Sequence, residues 1–100
     1  MKLDSAPVTP ADLKLLPEIR RLLSALNDPV VSQREIDHLC TKVPVLARRI
    51  VAHARARAPL RDITRLDSAL GLIGNRGLET VLLQLLEDLT VLKADLEPKR

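Results

Sequence analysis

The 100-residue chain predicts an all-α fold, a compact bundle of five or six short helices. Three observations lead there. No stretch of useful length alternates apolar and polar residues with period two, which disfavours strands. Apolar residues instead recur at helical spacing. The segments carrying them are separated by Pro- or Gly-marked turns, several with capping signals.

The elements follow in order. Residues 1–9 are polar and proline-containing and predict a flexible end. "TPAD" offers Thr9 as N-cap, Pro10 at the first helical position and Asp12 three residues after the cap, which starts a short helical turn. Pro17 restarts the chain, and Ile19, Leu22, Leu23 and Leu26 then share one face until "NDP" at Asn27–Pro29 stops the helix. Ser32 and Glu35 form a capping box ahead of Ile36, Leu39 and Cys40. Pro44 opens a helix that ends before Pro59. Thr64 with Asp67 opens a further short helix, weakened by Gly71 and closed by Gly74. Asn75 caps a last helix from about Arg76 to Ala94. The expected organisation is one helical domain over residues 10–96, with a second flexible end at 97–100.

Composition narrows the function. The chain has no Phe, Tyr or Trp, so no aromatic platform exists for stacking a base or a flat cofactor. A net charge of +3 implies only weak anion attraction. The single cysteine, Cys40, rules out an intramolecular disulfide and fits a reducing compartment. The N-terminal stretch has no apolar run of signal-peptide type, and no window reaches membrane-spanning length. The expectation is a cytoplasmic protein with no membrane contact.

Positive charge is concentrated in "RRIVAHARARAPLRDITR", Arg48–Arg65, with six arginines and a histidine. At roughly 100° per residue, Val43, Leu46, Ala47, Ile50, Val51, Ala54 and Ala58 form one apolar arc. Arg48 and Arg55 fall beyond one edge of it, and Arg49 pairs with His53 beyond the other. Arg57 lies within the arc near the helix end, where its stem can snorkel to water. Arg61 and Arg65 follow in the loop near Asp62 and Asp67. Together with Arg76 these side chains are either solvated helix faces or a surface for an anion or partner. The flat spot at Ala52 and Ala56 keeps the second alternative open.

No HxxxH, HxH or Cys/His cluster predicts a metal site, and no phosphate loop or Ser/His/Asp grouping predicts catalysis. His38 and His53 read as surface residues and Cys40 as a buried thiol. The expectation is a protein without catalytic residues, metal or cofactor.

"LPEIRRLLSALNDPVVSQREIDHLCTKVPVLARRI" followed by "ITRLDSALGLIGNRGLETVLL" resembles the N-terminal part of the HDOD domain, the HD-related output domain of bacterial signalling proteins. The resemblance covers roughly Leu16 to Leu86 and rests on the order of signals: Leu16-Pro17, the "NDP" break, the Ser-capped helix, Pro44 and "SALGLIG". It implies an all-α, noncatalytic regulatory module lacking the metal ligands of HD phosphohydrolases. The sequence departs from the family at Val43, where an acidic residue is common, at Arg55, where Asn is usual, and in "ARARA".

The resemblance also implies further covering helices beyond this half. Leu78, Leu82, Leu85, Leu89, Leu92 and Leu96 make a heptad-like seam, widened by Val81, Leu83 and Leu86. Either the first helix wraps round to cover it, or a second chain does. The expected function is a protein-interaction module of bacterial signalling, acting as a homodimer through this seam or with another protein partner. The rival is a small nucleic-acid-binding regulator using Arg48, Arg49, Arg55, Arg61, Arg65 and Arg76.

Overall fold

A computed structural model describes residues 7–97. Residues 1–6 and 98–100, most of the two expected flexible ends, lie outside the described residues. A 3-10 segment, Pro10–Leu15, leads into four α-helices: α1 Leu16–Leu26, α2 Gln33–Thr41, α3 Pro44–Arg57 and α4 Leu66–Leu96. No strand occurs among the described residues, so the fold is all-α.

Local chemistry sets the boundaries. The Asp12 carboxylate accepts from the Thr9 backbone N–H at 2.8 Å and from its hydroxyl at 3.2 Å, holding the first turn. Pro17 occupies the first turn of α1, where a missing N–H disturbs nothing. Asn27 closes α1 by donating its side-chain amide to the Leu23 carbonyl at 3.0 Å. Asp28 then turns the chain by accepting from the Val30 N–H at 2.9 Å. Ser32 caps α2 by accepting from the Glu35 N–H at 3.2 Å. Val43, ahead of Pro44, is held out of the helical region at φ −122°, ψ 89°.

One boundary expectation is corrected and one is refined. The cap of α4 is Arg65, not Thr64, and the Asp67 carboxylate accepts instead from the Ser68 N–H next to it at 2.9 Å. The two helices expected on either side of Gly74 abut directly and are numbered together as α4, so four α-helices are counted, but α4 consists of two helical segments, 66–73 and 75–96, meeting at a kink. Gly74 does break the regular backbone, with φ 67° and ψ −178°, but helical geometry resumes at once without a loop. A residue without Cβ tolerates that left-handed conformation, so the chain changes direction there and continues.

At about 1.5 Å per residue, the segment of α4 after the break, residues 75–96, runs ~33 Å along a molecule measuring 48 × 35 × 18 Å. The short dimension admits about two helical layers. α3 packs most extensively along α4, with α1 and the 3-10 segment against another part of it. The core between them includes Ile19 and Leu22 of α1, Val45, Leu46 and Ile50 of α3, and Leu78, Leu82, Leu85 and Leu89 of α4.

The seam is therefore covered largely by this chain itself. Leu78, Leu82, Leu85 and Leu89 have no exposed surface, because α1, α3 and the 3-10 segment close over them. The expectation that these four form the centre of a contact between chains is corrected: they are core. Leu92 is half-buried and Leu96 is exposed, where the seam runs past the bundle.

Candidate functional site

The helical register of α3 decides where the arginines go. Val45, Leu46, Arg49, Ile50 and Ala54 are buried, while Ala47, Val51 and Ala58 are only half-buried. The buried arc is rotated by roughly a quarter turn from the one the apolar pattern suggested. Rotation brings Arg49 inside, where its Nη2 lies 2.7 Å from the Asp88 carboxylate of α4. Arg49 is only 4% exposed, and a charge so deep requires a carboxylate nearby. Arg49 is thus a cross-link between α3 and α4, not part of a surface.

The remaining arginines separate into different places. Arg65 is exposed and pairs with Asp67 at 2.9 Å. Arg55 reaches back along the loop, and its Nε donates to the Ile63 carbonyl at 2.7 Å, tying the end of α3 to the following segment. Arg48 and Arg55 flank an open groove of about 450 Å³, floored by Val51, Ala52 and Leu66. Arg61 is exposed in the loop after α3. Arg76 comes from beyond the Gly74 break and joins His53 and Arg57 around a second cleft, of about 560 Å³. Sequence reasoning left Arg57 outside the candidate surface. The signal was its i, i+4 spacing from His53, which places both on one side of α3.

The third feature is the set of apolar side chains that α4 leaves uncovered. Leu83, Val91 and Leu96 are each about half exposed, and Leu86 and Leu92 are half-buried beside them. Leu83 and Val91 belong to the solvent side of the helix, whereas Leu92 and Leu96 prolong its core-facing side past its neighbours. Val30 and Leu60, both in loops, are almost fully exposed.

Cys40 has no exposed surface, and burial, reinforced by the negative charge of Asp37, pushes its thiol up to about 12. A thiol held protonated is a poor nucleophile and a poor metal ligand at neutral pH. His38 is exposed near Arg34, Asp37 and Asp67. Among the described residues, no three His, Cys, Asp or Glu side chains are grouped closely enough to hold a metal ion. Among the same residues, no helix is long and apolar enough to cross a membrane.

No family model, curated protein or solved structure matches the chain.

Proposed function

We propose that the chain is a noncatalytic regulatory module of HDOD type, acting in the bacterial cytoplasm through contacts with a second copy of itself or another protein. The observation that carries this reading is the apolar surface along the C-terminal half of α4. Leu83 and Val91 lie half exposed on its solvent side, and Leu92 and Leu96 continue its core-facing side beyond the neighbouring helices. Full burial of a leucine is worth roughly 1.5–3 kcal/mol, and several half-burials together offset much of the cost of association. Two-fold symmetry buries the same patch twice, which favours self-association. The rival reading, a nucleic-acid regulator, is less favoured because Arg49 is buried against Asp88, while Arg48 and Arg55 border one groove and Arg76 another.

The contact surface differs from the one the seam suggested, and so does the test. Leu85→Asp and Leu89→Asp should unfold the protein, whereas Leu83→Asp with Val91→Asp should leave it helical and monomeric. Sedimentation of wild type and double variant at micromolar concentration measures this. A wild type that is monomeric throughout that range removes the homodimer and leaves only a foreign partner.

A further inference from the structure

The cleft beside the Gly74 break has a composition that the interaction surface does not explain. His53 and Arg57 approach it from the last turns of α3, and Arg76 and Thr80 from α4. Ile73 and Gly77 complete its wall, and Gly77 adds no side chain to fill it. No Asp or Glu lines the space.

The partners of three other arginines distinguish them from those at this site. Arg49 and Arg65 are each engaged by an aspartate, and Arg55 by a backbone carbonyl. Arg57 and Arg76 belong to neither of those ion pairs, so two guanidiniums border one concavity without a carboxylate between them. Arg57 and Arg76 are both exposed, and like charges sharing an open cleft repel, with water screening part of the repulsion. An anion relieves that repulsion. Each guanidinium presents five N–H donors in a planar fork suited to paired oxygens, and phosphate offers such oxygens on every side. Thr80 already donates its hydroxyl to the Arg76 carbonyl at 3.1 Å, so recognition falls to the two guanidiniums.

We infer that this cleft binds the phosphate group of a small phosphomonoester or free phosphate, held between Arg57 and Arg76. The chain has no Phe, Tyr or Trp to stack a base, so the phosphate carries most of the affinity. A nucleoside monophosphate and inorganic phosphate therefore bind comparably.

The test is a titration of the full chain with inorganic phosphate, and separately with a nucleoside monophosphate, at constant ionic strength adjusted with chloride. Backbone amide shifts of Arg76, Gly77 and Thr80 and the side-chain Nε–H of Arg57 report binding. Both ligands should saturate the same resonances, and Arg57→Gln or Arg76→Gln should weaken each by about tenfold or more. Arg61→Gln, in an exposed loop outside the cleft, should change neither. Circular dichroism of each variant checks that the helices persist. Shifts that never saturate, or that spread equally to Arg48 and Arg61, mean ionic screening only and overturn the inference. So does a nucleotide that binds while inorganic phosphate does not.

Discussion

Replacing Asp88 with alanine would leave the Arg49 guanidinium, 4% exposed, without the carboxylate 2.7 Å away. At that separation and an effective dielectric constant near 20, the gross attraction is ~6 kcal/mol. Most of it offsets the desolvation of the two charges, so the net worth of the pair is small. Severing the pair is different, because the desolvation remains when the attraction is gone. Breaking a fully buried pair costs about 3–5 kcal/mol. Asp88 keeps 28% of its side-chain surface in water, so water can partly replace it and the expected loss is about 2–3 kcal/mol. That corresponds to a fall of roughly 10–20 °C in Tm for a domain of this length. Arg49→Met retains the stem and removes the charge, and should lose no more than about 1 kcal/mol. Adding Arg49→Met to Asp88→Ala should therefore restore stability. Urea denaturation of the three variants, followed by far-UV circular dichroism, gives the ordering. If Asp88→Ala costs less than Arg49→Met, the guanidinium does not depend on that carboxylate, and the rotation of α3 described above is wrong.

Two further outcomes follow from the same packing. A Cβ at Gly77 would stand 2.6 Å from the Ile73 Cβ, so Gly77→Ala should destabilise by about 1–3 kcal/mol despite alanine's higher helix propensity; an unchanged melting curve would contradict that contact. Cys40 should resist alkylation at neutral pH until denaturant is added. Its folded thiol titrates near 12 against an ordinary 9.0, so the native state holds the proton more tightly. The stability this contributes is complete below about pH 9 and is lost as pH rises through 12. Cys40→Ala should flatten that part of the stability profile, and an unaltered slope would assign it to other groups.

Much of the fold is legible in the residues. Ser32, Pro17 and Pro44 mark helix starts by mechanisms confined to a few neighbouring atoms, and local mechanisms survive folding intact. The rotation of α3 is not local. Apolar periodicity places Ala47 and Val51 inward and Arg49 outward, but Asp88, 39 positions further along, supplies the carboxylate that reverses the choice. Burial of the leucine seam has the same character. The pattern in α4 shows how wide its apolar face is, while its coverage depends on how α1 and the 3-10 segment lie across it. The grouping of the arginines was visible only in part. The i, i+4 pairing of His53 and Arg57 is written in α3, but their approach to Arg76 requires the packing of two separate helices.

The break at Gly74 ties three positions into one unit of inherited variation. In a regular helix the Cβ atoms of residues four apart are about 5–6 Å from each other, and both can carry side chains. Here the left-handed Gly74 sits between Ile73 and Gly77 and brings the Ile73 side chain beneath residue 77. Two combinations are mutually consistent: a bent helix with glycine at both 74 and 77, or a straight one with ordinary residues at both. A lineage moving from one to the other passes through an intermediate that is strained at 74 or crowded at 77. Substitutions there should consequently arrive in a fixed order, with the backbone straightened at 74 before a side chain becomes tolerable at 77.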